Sequence, residues 1–224
     1  MSGRDNHLWL QLWRDRQTDF HQETVNKFLI KFWSGLNLDK GSRVFVPLCG
    51  KSLDMLWLAR QGYEVIGVEL SPIAVKAFFR ENHLQPTRRR MGKFTLWEHG
   101  NITILCGDYF ALNKLDLGHV DIVYDRAALT ALPEDIRKLY VVQLRLIVPD
   151  TADVFLLTTE DVEENESADA FPPVDMEITS LYSESFAINL AHVESVLDLD
   201  TGLPQLSPIR SEYKVYRLSP LDSM

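Results

Sequence analysis

The residues of this 224-residue sequence best spaced for chemistry are the run Pro47-Leu48-Cys49-Gly50-Lys51-Ser52 and the acid Glu69, nineteen residues after Gly50. The run follows an apolar stretch, Arg43 to Leu48, and a helical pattern opens at Ser52. A loop between a strand and a helix presents backbone amides and a helix N-terminus to a ligand. Glu69 closes a second apolar stretch, Val65-Ile66-Gly67-Val68-Glu69. A carboxylate there can accept hydrogen bonds from both hydroxyls of a ribose. The spacing is that of a nucleoside site.

The loop narrows the choice of nucleoside. A dinucleotide fingerprint needs G-x-G-x-x-G, but only Gly50 is present, and of the P-loop pattern only the ending Gly50-Lys51-Ser52 is met. A nucleoside without phosphates therefore fits better than a nicotinamide nucleotide, and S-adenosylmethionine is the common one. Two later positions agree. Cys106-Gly107-Asp108-Tyr109-Phe110 offers a carboxylate for an adenine amino group and an aromatic ring beside it, and Tyr124-Asp125-Arg126-Ala127-Ala128-Leu129 ends another apolar stretch. Both lie where open α/β sheets bind ligands. Gly67, lacking a side chain, is expected to let the ligand approach its strand closely.

The elements that must position these residues alternate. Strands are expected at Arg43 to Leu48, Glu64 to Val68, Ile102 to Cys106, Val120 to Tyr124 and Asp153 to Thr159, and helices at Ser52 to Arg60, Pro72 to Asn82 and Glu134 to Val148. Short apolar runs of this kind suit a parallel sheet covered on both faces. Ser71-Pro72 reads as a helix start and Pro149 as a stop. Phe186 to Leu197 and Glu212 to Leu218 read as a closing antiparallel pair. The first 40 residues form a helical extension, with Val25, Phe28, Leu29, Phe32 and Trp33 as an apolar stripe that stops at Ser34-Gly35. The chain is thus read as one α/β domain: an extension over 1–40, a cofactor-binding core over 41–159, and an acceptor-side loop with closing strands over 160–224.

Composition excludes several classes. A net charge of −9 opposes general nucleic-acid binding, and no window approaches the length of a membrane span. Only two cysteines occur, Cys49 and Cys106, outside any metal-ligand spacing, so neither a zinc site nor a disulfide scaffold is expected. They read as small buried hydrophobes. A cytoplasmic monomer acting on a small molecule fits these features. Arg88-Arg89-Arg90 with Lys93 reads as a solvated loop. Glu160 to Asp169 holds six acids and no Lys or Arg, so the rest of the chain carries only −3. That segment reads as a mobile acidic surface.

The residues also resemble a known family. RVFVPLCGKSLDMLWLARQGYEVIGVELSPIAV, then CGDYFAL and DIVYDRAALTALP, with LWLQLWRDRQTDFHQ near the start, are similar to the thiopurine S-methyltransferases, in particular the bacterial members. The resemblance covers residues 8 to 158, with an echo at the terminal VYRL. It implies a class I S-adenosylmethionine-dependent methyltransferase with a Rossmann-like sheet, releasing S-adenosylhomocysteine. It assigns cofactor contacts to Trp9, Trp13, Leu48, Gly50, Glu69, Asp108, Tyr109 and Arg126, with Arg126 also facing the acceptor as the catalytic cation. Phe20 matches the family's aromatic substrate contact. The family's Gly-Pro-Pro-Phe is replaced by Ala170-Phe171-Pro172-Pro173-Val174, and Asp19 stands where bacterial relatives carry glycine. The implied reaction is in-line attack of an aromatic or heterocyclic thiol on the cofactor's methyl group. Alternatives are a tellurium or selenium acceptor, a small or natural-product thiol, or a nucleoside-binding module without turnover.

Overall fold

The computed structural model describes residues 3–18, 21–162, 176–198 and 209–221. In chain order the elements are α1 (Gly3–Arg14), α2 (Lys27–Phe32), β1 (Arg43–Val46), α3 (Asp54–Arg60), β2 (Glu64–Glu69), α4 (Pro72–Glu81), β3 (Thr87–Met91), β4 (Phe94–His99), β5 (Ile102–Cys106), α5 (Lys114–Leu117) and β6 (Ile122–Arg126). Then follow α6 (Glu134–Ile147), β7 (Asp153–Val162), α7 (Met176–Tyr182), β8 (Phe186–Asp198) and β9 (Ile209–Pro220). They fall into two compact units, one of residues 1–124 and 142–152, the other of 125–141 and 153–224.

The first unit is a sheet in the order β3-β4-β5-β2-β1-β6. The strands β5, β2, β1 and β6 run parallel, while β3 and β4 are antiparallel to their neighbours. The parallel strands are buried along most of their length, as a sheet covered on both faces requires. Helix α4 starts as its residues dictate: Ser71 accepts from the amide of Ala74, and Pro72 occupies the first turn, where its missing N–H costs nothing. Phe45, Phe78, Phe79, Phe94 and Trp33 fill the core.

The extension docks on this unit through buried polar groups. Asn26 caps α2, its side chain accepting from Phe28 and Leu29. Its own amide donates to Asp54 Oδ1 at 2.8 Å, and the Tyr124 hydroxyl donates to Asp54 Oδ2 at 2.8 Å. The ring of Trp33 meets that of Tyr124 edge-on. The stop expected at Ser34-Gly35 comes later. After α2 the chain tightens into a 3-10 turn over Trp33–Leu36, which keeps Trp33 buried, and ends at Asn37, φ 52°. Asparagine tolerates that left-handed conformation better than most residues.

The second unit contains an antiparallel sheet in the order β7-β9-β8. Its core includes Tyr140, Phe155, Tyr182 and Tyr216. Here β7 runs on to Val162, so the first three residues of the acidic run belong to a strand. Glu160 is no free surface acid: it accepts a hydrogen bond from the buried Lys214 at 2.8 Å. The rest of that run, with 170–174, lies outside the described residues.

Two other expectations are corrected. Arg88-Arg89-Arg90 is exposed, but it forms strand β3 of a hairpin with β4. Strand β6 begins at Ile122 and ends at Arg126, two residues later than expected, so Asp125 and Arg126 belong to the strand itself.

Candidate functional site

The strand-to-helix loop after β1 is tightly held. Leu48 has φ 46°, a left-handed conformation that costs about 1–3 kcal/mol outside glycine and persists only when the surroundings hold it. The hold comes from both sides: the Cys49 amide donates to Val68 O at 3.0 Å, and the Ser52 amide to Cys49 O at 3.1 Å. Gly67 makes room for this loop. A Cβ there would lie 2.7 Å from Cys49 Sγ and 3.2 Å from Met55 Sδ. What a side chain at Gly67 would meet is therefore the protein's own sulfur.

Glu69 ends β2 with a buried carboxylate. Its Oε2 accepts from the Gly50 amide at 2.9 Å and its Oε1 from the Ser71 amide at 2.7 Å. One side chain thus ties the loop after β1 to the loop after β2. Each carboxylate oxygen has two lone pairs, so both keep the capacity to accept another donor. Burial pushes the Glu69 carboxyl up to about 7, against the amides of Ser71, Gly50 and Leu70, which favour the charged form.

One member of the extension's aromatic pair reaches the same loop. Trp9 and Trp13 share one face of α1; Trp9 is half-buried, and Trp13 is buried with its ring against Gly50. A Cβ at Gly50 would sit 3.3 Å from that ring, a tight contact, and the left-handed φ of 54° itself favours glycine there. Helix α1 is also tied to the end of β5, where Asn6 Nδ2 donates to Asp108 Oδ2 at 3.1 Å. The other Asp108 oxygen accepts from the Phe110 amide at 3.0 Å, capping the short turn that follows. Tyr109 is 2% exposed and packs edge-on against Phe110, which is half-buried.

Trp13, Gly50 and Glu69 are thus brought into one cluster in the first unit, with Leu48 in the same loop, and Asp108 is joined to the helix that carries Trp13. Asn6, the residue making that link, was not singled out in the sequence. Its signal is a position one turn before Trp9 and two turns before Trp13, on the same helix face. Cys49 is buried and Cys106 only partly so. Burial, followed by the charge of Glu69, holds the Cys49 thiol well above its usual range and pushes that of Cys106 up to about 11. Neither is a poised nucleophile. Among the described residues, no group of three or more His, Cys, Asp or Glu could hold a metal ion, and no helix is long and apolar enough to cross a membrane. A cleft of about 320 Å³ lies at the amino ends of the parallel strands, lined by Arg43, Glu64 and Asn101 among others, and so at the edge away from these loops.

Arg126, half-buried, closes β6 in the second unit. The chain reverses directly after it through Ala127, φ 62°. Asp125 holds that reversal: its Oδ1 accepts from the amides of Ala128 at 3.1 Å and Leu129 at 3.4 Å, while its Oδ2 accepts from the Tyr140 hydroxyl at 2.6 Å. Burial raises the Asp125 carboxyl to about 6, opposed by Tyr140, by the two amides and by the charge of Arg126. Phe20 lies outside the described residues.

The donor set suits S-adenosylmethionine. A carboxylate with spare lone pairs at the end of β2 matches two ribose hydroxyls, and a glycine loop under an indole ring gives a flat apolar wall rather than a phosphate cradle.

The sequence model of the thiopurine S-methyltransferase family matches residues 4–220. A thiopurine S-methyltransferase of Stutzerimonas stutzeri is 62% identical over 220 residues, 98% of this chain and 92% of that protein. One of Nitrosospira multiformis is 40% identical over 210 residues, 94% of this chain and 96% of that protein. A solved S-adenosylmethionine-dependent methyltransferase from Anabaena variabilis shares the fold at 13% identity, with a TM-score of 0.58 over 95% of this chain and 94% of that one. The α/β architecture, the mostly parallel sheet and the closing antiparallel strands are those of this fold. The chain belongs to the thiopurine S-methyltransferase family, enzymes that use S-adenosylmethionine as methyl donor.

Proposed function

We propose that this chain methylates the sulfur of an aromatic or heterocyclic thiol of the thiopurine kind. The observation that carries the reading is the buried Glu69 carboxylate, anchored by the Gly50 and Ser71 amides with Trp13 over the same loop. S-adenosylmethionine supplies a methyl group on a positively charged sulfur; the acceptor sulfur bonds to that carbon in line as the old bond breaks, its electron pair passing to the departing sulfur.

The residues supply binding and alignment. Glu69 takes the ribose hydroxyls, Asp108 and Tyr109 the adenine, Leu48 and Gly50 the loop side of the nucleoside, and Trp9 and Trp13 cover it. Arg126 attends the methionine portion and the acceptor, where its charge stabilises a thiolate and orients it. Phe20 contacts the acceptor ring. The acceptor proton leaves to solvent, so no general base is needed. Alignment in a dry site supplies most of the rate. Family membership favours a thiol over a tellurium or selenium species and over a module without turnover. Two reduced cysteines and the size of the chain support a monomer acting in the cytoplasm.

Methyl transfer from labelled cofactor across heteroaromatic thiols, aliphatic thiols and metalloids tests this. Turnover highest on the heteroaromatic thiols is expected; transfer to metalloids alone sinks the assignment.

A further inference from the structure

We propose that Tyr140 is a positioning residue for Arg126, acting through the carboxylate of Asp125. This rests on the reading of Arg126 as the cation that attends the acceptor.

The geometry lies within the second unit. Asp125 has no exposed surface, and its carboxylate spans three donors: the Ala128 and Leu129 amides just past Arg126 and, from the middle of α6, the Tyr140 hydroxyl. Between the strand and those amides stands Ala127, whose left-handed backbone needs to be held. The Ala127 amide donates to Leu157 O at 3.3 Å, and its carbonyl accepts from the Ala131 amide at 2.9 Å. The turn that follows Arg126 is thus pinned by these backbone bonds and by one buried acid, and that acid is tied to a helix by one phenol. Tyr140 is itself fully buried, so its place is set by packing.

The pin works best when Asp125 is ionised, since a carboxylate accepts from amides more strongly than a neutral acid. Among the described residues, the titratable groups that interact with it are Tyr140 on α6 by hydrogen bond, and Arg126 on its own strand and Tyr182 on α7 through their charges. Tyr182 is buried, and burial together with the Asp125 charge holds its hydroxyl neutral far above the usual range. Burial works against the charged form of Asp125, while the Tyr140 hydroxyl supports it. Removing that hydroxyl raises the Asp125 pKa, so more of the acid is protonated near neutral pH and the turn slackens. Raising the pH ionises Asp125 again and restores the turn. A residue that only filled space would show no such recovery.

The test compares the parent with Tyr140→Phe, Arg126→Ala and the double variant between pH 6 and 9. The readouts are the Kd of a thiopurine for the protein loaded with S-adenosylhomocysteine and kcat/KM for that thiopurine at saturating cofactor. The ratio of variant to parent at each pH removes the thiol's own titration. Tyr140→Phe is expected to weaken thiopurine binding about tenfold near pH 6.5, the size of one hydrogen bond to a charged group, and less than twofold at pH 9. Affinity for S-adenosylhomocysteine falls no further than it does in Arg126→Ala, and the double variant is no weaker than Arg126→Ala. Asp125→Asn gives a second route: a similar loss that does not recover with pH. The inference is overturned by an equal loss at every pH in Tyr140→Phe, by additive losses in the double variant, or by no loss where Arg126→Ala is costly. If Arg126→Ala leaves both readouts unchanged, the reading of Arg126 is wrong and this inference falls with it.

Discussion

Glu69 and Asp125 are both acids buried at the carboxyl ends of neighbours of β1, and burial raises both carboxyls, to about 7 and about 6. Their hydrogen bonds differ. The amides on Glu69 come from two separate loops. Those on Asp125 come from its own turn, and a phenol takes the other oxygen. The proposed ligand role falls to the acid that bridges two loops, and the proposed positioning role to the acid that serves its own turn. Position at a strand end does not separate the two; the source of the donors does.

The comparison can be broken by variants at the two strand ends. Arg126→Ala is expected to have the largest effect, lowering thiopurine turnover by about two to three orders of magnitude while leaving S-adenosylhomocysteine affinity within a few-fold, as steady-state kinetics and calorimetry will show. An equal loss in both would make Arg126 a cofactor residue only. Glu69→Ala should weaken S-adenosylhomocysteine by about one to two orders of magnitude, the worth of hydrogen bonds to a charged acceptor. Unchanged affinity in calorimetry would remove the ribose role.

The next effect depends on pH. Glu69 accepts from ribose hydroxyls best when ionised, and its carboxyl titrates near 7 in the free protein. S-adenosylhomocysteine affinity should therefore fall about tenfold from pH 8 to pH 6, and Glu69→Gln should abolish the slope. The smallest expected effect is on stability. Gly67→Ala forces Cys49 Sγ and the loop aside, at about 1–3 kcal/mol by denaturant unfolding. A neutral result would show that the loop is less tightly packed than its contacts indicate.

Much of this was legible in the residues. Ser71-Pro72 marked the start of α4, the apolar runs marked the parallel strands, and the interval from Gly50 to Glu69 brought together two residues that do meet. The hairpin of β3 and β4 escaped because Thr87 to Arg90 carries no apolar alternation: both faces of that strand are exposed. Its readable trace is the two-residue loop Gly92-Lys93 between Met91 and Phe94, which pair across the turn. Asp54 and Tyr140 escaped for another reason. Their partners lie 28 and 70 residues away for Asp54, and 15 for Tyr140, so no local pattern links them. At Gly67 the sequence shows that a close approach occurs, but not that Cys49 makes one.

The strand missed in the sequence has a consequence for the protein in solution. In the first unit β3 is the outermost strand, with one row of backbone donors and acceptors unpaired within the sheet. Such an edge invites a strand from a second molecule. Three successive arginines occupy it, so two copies meeting edge to edge would set like charges side by side along the new ladder. What reads in the sequence as a solvated loop is, in the fold, an exposed edge strand whose charges disfavour such pairing.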